Sequence, residues 1–453
     1  MSNRQGLIAD ATGTGKTVTL QTLAESFSRA GVPVFAADIK GDLSGLGAAG
    51  KPYAKIDTRL ANIPLAHYQQ RGYPVVFRGI FGKNGHPIRS TVSEMGPLLL
   101  SNMLNLSETQ SGFLYGCFKI ADDQGLLLLD LKDLRSMLAW MNQNAQRLQG
   151  DYGNISSSSI GAIQRKLLVL EEQGAEHFFG EPAVKLSDLM QVDFSGNGVI
   201  SIFDAAKIMA QSPKVYSSFL LWLLSELLEQ LPEIGDPERP VLVLFLDEAH
   251  LLFDDAPKIL LDKLEQVVRL IRSKGVGIYF ITQSPLDIPE DILGQLGLKI
   301  QHALRAFTSK DLKTIKNVVR SFPINPELDT EQCLTDLGTG EALVSVLDDK
   351  GRPNPVQRSL IRQPESLIGP LSDEERQTRI GRSPFHGRYD EPIDRISAYE
   401  TLKQRAEQLQ EEQAQRLEQK TQHQEEQREN KAKLDKVRVR HSLKAQPVPS
   451  AVR

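Results

Sequence analysis

The stretch GLIADATGTGKTVTL, from Gly6 to Leu20, constrains the fold of this chain more than any other. Gly6 to Ala9 reads as a short buried strand, a glycine-rich loop follows, and Lys16 to Ala30 has helical spacing that closes at Gly31. The next apolar run, VPVFAAD, ends at Asp38 and reads as a second strand. Strand, tight loop, helix and strand in that order imply a parallel sheet with right-handed crossovers.

The loop Asp10-Ala11-Thr12-Gly13-Thr14-Gly15-Lys16-Thr17 matches the phosphate-cradling pattern GxxxxGK[ST] at every position but the first. Gly13 and Gly15 permit close backbone approach, so N–H groups of Ala11 to Thr17 can point at phosphate oxygens, assisted by the helix N-terminus. Lys16 would contact the β and γ phosphates of ATP, and Thr17 would offer its hydroxyl to Mg²⁺. The alternative is a chance glycine-rich turn, which leaves the order TGTGKT behind a strand without a reason. Asp10 stands where the pattern has glycine. Turned inward, its carboxylate would repel phosphate and its backbone would lack glycine's freedom; turned away, it would leave the loop competent.

Along the chain, VVFRGIFG near Val75 is a further strand candidate, and from Ser90 to about Met190 the spacing is helical with little strand character. The segments EMGPLLLSNML, LKDLRSMLAWM and SIGAIQRKLLVLEE carry that pattern. Strand patterns resume at GVISIF, an apolar helix follows around Tyr216 to Leu231, and VLVLFL leads into Asp247. A continuously apolar run of this kind suits a central strand covered on both faces. A helix over 256–273, the strand GVGIYFITQS, and two more strands in LKIQHAL and EALVSVL complete a sheet of six or more strands. After Pro370 the composition changes, and from Ser397 Glu, Gln, Lys and Arg dominate around Leu402, Leu409 and Leu417, which reads as a solvated helix or weak coiled coil with a disordered end. The expected division is a core in 1–89 and 196–365, a helical insertion in 90–195, and a linker with a charged tail in 366–453.

The second chemical motif is LFLDEAH, a buried strand that delivers two acids at its end. Asp247 can hold Mg²⁺ through water, and Glu248 can polarise an attacking water as general base; the alternative is an acidic turn. Gln283, after the next strand, is placed to sense a γ-phosphate, or else caps the strand end. Asp38 ends its strand at the carboxyl edge where open α/β sheets bind ligands, while Asp42 reads as a turn residue. Arg269 and Arg272 lie three apart and share a helix face; one could reach a neighbouring subunit's nucleotide, or both could be solvated, and Arg305 is a weaker candidate. His250 flanks the acids without metal-ligand spacing.

Composition narrows the classes. With 453 residues, 40% hydrophobic and 24% charged, the chain has the balance of a globular enzyme. A formal charge of −4 argues against an all-basic surface and leaves room for a basic channel. The two cysteines, Cys117 and Cys333, form no disulfide framework or zinc pattern, which fits the cytoplasm. No apolar run reaches the roughly 20 residues that span a bilayer, so no membrane segment is expected. The stretch before Gly6 has no room for a signal peptide.

Together, ATGTGKT, VFAADIKGDLSGL, VLVLFLDEAH and GVGIYFITQSPLDIP resemble the HerA/FtsK branch of P-loop ATPases, and within it the bacterial YjgR-type members. The likeness spans about Gly6 to Arg362 and the segment GRYDEPIDRISAYE. It implies an α/β, RecA-like P-loop core with a mainly parallel sheet, which the helical insertion and charged helical tail extend. It also implies that Lys16 and Thr17 serve the nucleotide, that Asp38 joins Thr17 and Asp247 at Mg²⁺, that Glu248 is the base, that Gln283 is the sensor, and that Arg272 is the arginine of a neighbouring site. The family's members form hexameric rings that move on double-stranded DNA, so a homo-oligomer and a DNA partner are implied. The stretch ahead of the loop is too short for the N-terminal β-barrel of HerA. A two-lobed DEAH-box helicase is excluded by the lack of a second ATPase lobe and of a QRxGRxGR stretch.

The expected activity is Mg²⁺-dependent ATP hydrolysis driving a motor. The rival is an ATP-binding assembly or scaffold protein with weak hydrolysis, acting on a protein partner through its tail. A small-molecule kinase fits less well, because Glu248 and Gln283 serve hydrolysis and no acceptor lid is evident.

Overall fold

The computed structural model describes residues 5–10, 13, 15–52, 59–63, 65, 68–254, 256–305 and 308–444. It divides into two units, Met1–Arg395 and Ile396–Arg453. The first holds ten strands: β1 (Gly6–Ala9), β2 (Val34–Asp38), β3 (Val75–Gly79), β4 (His86–Pro87), β5 (Ile200–Asp204), β6 (Leu242–Leu246), β7 (Val276–Thr282), β8 (Leu298–Gln301), β9 (Glu341–Ser345) and β10 (Gln357–Leu360). They form one sheet in the order β10-β9-β8-β1-β7-β6-β2-β5-β3-β4. Every pairing from β8 across to β4 is parallel, and the β8–β9 and β9–β10 pairs are antiparallel.

The strand at the centre, β6, is buried at all five positions, as its unbroken LVLFL demands of a sheet covered on both faces. Beside it β7 is buried along VGIYFIT, and the register Gly6↔Tyr279 and Phe245↔Tyr279 brings β1, β7 and β6 to a common carboxyl edge. Gly6 is needed there: a Cβ on it would lie 2.6 Å from the Tyr279 ring. Leaving β1, helix α1 (Lys16–Arg29) packs Leu20 and Ala24 into the core beside Val34, Ile202 and Phe245.

Between β4 and β5 lie α2 (Val92–Met103), α3 (Glu108–Asp123), α4 (Leu131–Gln143), α5 (Ala145–Tyr152) and α6 (Ser157–Glu172). Capping boxes written in the sequence start three of them: Thr91 with Glu94, Ser107 with Gln110, and Asp130 with Asp133. The segment EMGPLLLSNML is not one straight helix. Gly96 has φ 70 and ψ 166 ahead of Pro97, whose ring disfavours helical backbone in the residue before it.

Two helices follow β5, α7 (Ala206–Gln211) and the long α8 (Pro213–Gln230). Helix α8 is buried over most of its length, with Phe219 meeting Phe35 and Phe203 of the sheet and Phe178 and Trp222 on its other side. Helix α9 (Lys258–Leu270) is shorter than the 256–273 pattern predicts, because Pro257 caps its start and a 3-10 turn, Ile271–Lys274, takes over at its end. The rest of the first unit adds α10 (Glu290–Leu293), α11 (Ser309–Arg320), α12 (Thr330–Asp336) and α13 (Asp373–Gly381).

Composition groups residues 366–395 with the tail, yet they belong to the first unit, held by specific polar contacts. Arg376 Nη1 pairs with Asp204 at 3.3 Å, His86 Nδ1 meets Asp390 at 3.0 Å, and Arg89 donates to the Tyr389 carbonyl at 2.8 Å. The second unit is a helix, α14 (Ala398–Lys444), of 47 residues, with Leu409 and Leu417 exposed on it. No helix among the described residues is long and apolar enough to cross a membrane.

Candidate active site

The carboxyl edge of β1, β7, β6 and β2 gathers the chemistry. At the end of β1, Gly15 precedes α1 with φ 132, a backbone region closed to residues with a Cβ, and Gly13 has φ 89. Ala11, Thr12 and Thr14 lie outside the described residues. Lys16 follows, buried, with Nζ 3.2 Å from Asp247 Oδ1 and 3.7 Å from Glu248 Oε1. Burial alone would lower its pKa, but the charges of Asp247, Glu248 and Asp10 outweigh it and hold the ammonium above its ordinary value. Thus the two motifs, remote in sequence, meet at one amine.

The sequence left Asp10 with two placements, and the structure takes the inward one. Its Oδ2 accepts a hydrogen bond from the backbone N–H of Lys16 at 2.8 Å, and the residue is buried. The feared backbone strain does not arise: among the described residues, the non-glycine residues with positive φ are Asn105 and Glu248.

Glu248 carries that strain instead. With φ 48 and ψ 47 it sits in the left-handed region, which costs a residue of its kind on the order of 1–3 kcal/mol and is concentrated at functional sites. The turn is held by Glu248 N donating to Asp247 Oδ1 at 3.0 Å, and by the Tyr216 hydroxyl donating to the Asp247 carbonyl at 2.8 Å. One carboxylate oxygen of Glu248, Oε2, is buried and accepts no hydrogen bond from the described residues, although His250 Nδ1 stands 3.4 Å away.

Around Thr17 the arrangement differs from expectation. Its hydroxyl donates to Asp42 Oδ2 at 3.3 Å, so the turn residue of the sequence reading lies in the site. Asp38 has its oxygens engaged by the N–H groups of Gly41, at 2.7 Å, and Leu43, at 3.1 Å. Expected at Mg²⁺, Asp38 instead spends both oxygens on backbone donors and shapes the loop that carries Asp42 to Thr17. Burial first, and the neighbouring charge of Asp42 second, push the Asp38 carboxyl up to about 7.

A residue that sequence reasoning missed, His302, backs the loop from β8. Its Nε2 lies 2.9 Å from Thr19 Oγ1 and its Nδ1 3.0 Å from the Glu341 carbonyl, and a Cβ on Gly15 would come within 3.4 Å of its ring. The polar pair Gln301-His302 at the end of β8 was the available clue.

Gln283 is exposed just beyond β7, in a turn fixed by Asp287, whose Oδ2 accepts from Thr282 Oγ1 at 2.6 Å and Ser284 N at 3.0 Å. Arg272 is not brought to this cluster. It precedes β7, at the amino edge, and pairs with Asp236 at 2.6 Å, so the seven residues of β7, roughly 20 Å of strand, separate it from the carboxyl edge. Nor does it share a helix face with Arg269, which lies in α9 and pairs with Glu265.

The oxygens of Thr17, Asp42 and Asp247 are hard donors of the kind that suit Mg²⁺. Among the described residues no three His, Cys, Asp or Glu side chains converge closely enough to hold a metal alone.

No curated protein matches this sequence. Among solved structures, VirB4 of Thermoanaerobacter pseudethanolicus is similar at 17% identity over 79% of this chain and 89% of that one, with a TM-score of 0.50, which shows a shared fold. The plasmid coupling protein TrwB, in complex with ADP and Mg²⁺, is 18% identical over 81% and 89%, with a TM-score of 0.48. The DNA-packaging ATPase B204 of Sulfolobus Turreted Icosahedral Virus is 10% identical over 80% and 99%, with a TM-score of 0.34. The sequence model described as "Helicase HerA-like C-terminal" matches residues 1–451. The chain, with its P-loop and DEAH strand joined at one site, belongs to the helicase HerA-like C-terminal family.

Proposed function

We propose that the protein is a Mg²⁺-dependent ATP hydrolase of the HerA/FtsK type, which assembles as a ring in the cytoplasm and moves along duplex DNA. The observation that carries this reading is Lys16 Nζ within 4 Å of both Asp247 and Glu248, one cation tying the phosphate loop to the acids. With ATP in the loop, Lys16 would turn to the phosphates, Thr17, Asp42 and Asp247 would hold Mg²⁺, and Glu248 would take the proton of the attacking water. Bound Mg²⁺ would neutralise charge developing on the transferring phosphoryl group. Gln283 would orient that water, between the strands of the two motifs. Residues 1–89 and 196–365 would supply this core and 90–195 an insertion.

Ring assembly draws support from Arg272. At the amino edge it cannot serve its own loop, and across a subunit boundary it could serve a neighbour's. Both cysteines are buried and free, as a reducing compartment would keep them. The bond from Lys16 N to Asp10 favours a second reading, an ATP-binding assembly protein that hydrolyses weakly and works through α14.

Phosphate release measured alone and with single-stranded DNA, duplex DNA and RNA separates the two. The motor reading expects duplex DNA to raise turnover several-fold, with the gain fading as salt is added. ATP binding with no turnover under any condition would overturn it in favour of the scaffold.

A further inference from the structure

We propose that Asp10 sets the nucleotide affinity of this loop, by occupying with its own carboxylate the backbone N–H of Lys16 that a phosphate must take. The inference rests on the nucleotide reading of the site. The N–H in question opens α1, a helix of 14 residues, where unpaired N–H groups and the helix dipole favour an anion. Asp10 Oδ2 supplies that anion from within the chain at 2.8 Å, on the N–H that a phosphate would take, and the residue is buried.

The backbone of Asp10 is anchored, its N–H donating to the Thr282 carbonyl at 3.2 Å on β7. Entry of a phosphate therefore requires the side chain to rotate while the main chain stays in place. Two costs follow. A charge-assisted hydrogen bond at a helix N-terminus is broken, and the displaced carboxylate remains beside the incoming phosphates, repelling them at short range. Glycine at this position, as in the usual pattern, imposes neither. The ammonium of Lys16 is paired with Asp247 and Glu248 and feels the charge of Asp10 as well.

Loss of one charge-assisted bond corresponds to roughly ten- to hundredfold in affinity. The test is calorimetric titration of ADP with Mg²⁺ into the full chain as wild type, Asp10→Gly, Asp10→Asn and Lys16→Ala, with thermal melting of each protein without nucleotide. Asp10→Gly is expected to bind about ten- to hundredfold tighter and Asp10→Asn to fall between, while both melt below wild type because α1 has lost its internal anion. A purely structural role would lower the melting temperature and leave the affinity unimproved. If Asp10→Gly, or Asp10→Asn should the glycine variant not fold, binds no tighter than wild type while Lys16→Ala loses binding, the gate is refuted and the nucleotide site stands. If wild type and both Asp10 variants fail to bind ADP, the nucleotide reading falls and takes this inference with it.

Discussion

At the scale of single residues, the site divides its acids by environment. Asp247 and Glu248 face a buried ammonium, whereas Asp38 is buried among N–H donors beside another acid, and its carboxyl is pushed up to about 7. That raised value makes stability depend on pH in a definite sense. Between the unfolded value near 4 and about 7, the folded state binds more protons than the unfolded one, so the contribution is full at low pH and is lost as pH rises through 7. Urea unfolding between pH 5 and 8 is expected to show wild type losing roughly 2–4 kcal/mol relative to Asp38→Asn across that window. Parallel curves for the two proteins would contradict the burial argument. The roles of Asp38 and Asp42 could not be separated in the sequence, because both are acids at the end of one strand. Only the fold of the turn decides which one spends its oxygens on N–H groups and which meets Thr17.

At the scale of elements, what the sequence made legible is what local physics writes directly. Runs that are wholly or largely apolar, LVLFL and VGIYFIT, became central strands. Periodicity alone misjudged two places. It carried α9 through Ile271–Lys274, where a 3-10 turn leads into β7, and it ran a helix through Gly96-Pro97. Close strand packing is testable at Gly6, where the Tyr279 ring fills the space of a side chain. Gly6→Ala is expected to cost about 1–3 kcal/mol in thermal unfolding, as overpacking of a core does. A second change, Tyr279→Leu, should restore part of it, and a harmless Gly6→Ala would show that β1 and β7 can move apart.

At the scale of the whole molecule, the folding of 366–395 into the first unit was hidden, since a polar, charged segment looks like a linker until its partners are known. Asp188, Asp204 and His86 are those partners, each far from it in sequence. Under the proposed ring, Arg272 at the amino edge would serve catalysis only between subunits. Arg272→Ala and Lys16→Ala are each expected to lose ATP turnover. Mixing the two proteins should recover a measurable fraction, because some interfaces then pair an intact loop with an intact arginine. Mixtures no more active than the separate variants would contradict catalysis across subunits.

The proposed activity rests on Glu248 acting on water at a triphosphate held by Lys16. The most direct measurement is ATP turnover by Glu248→Gln at saturating Mg²⁺ and ATP, beside its ATP affinity. The account predicts a fall of about a hundredfold or more with affinity kept, the size expected on removing a general base. Turnover within about twofold of wild type would contradict it.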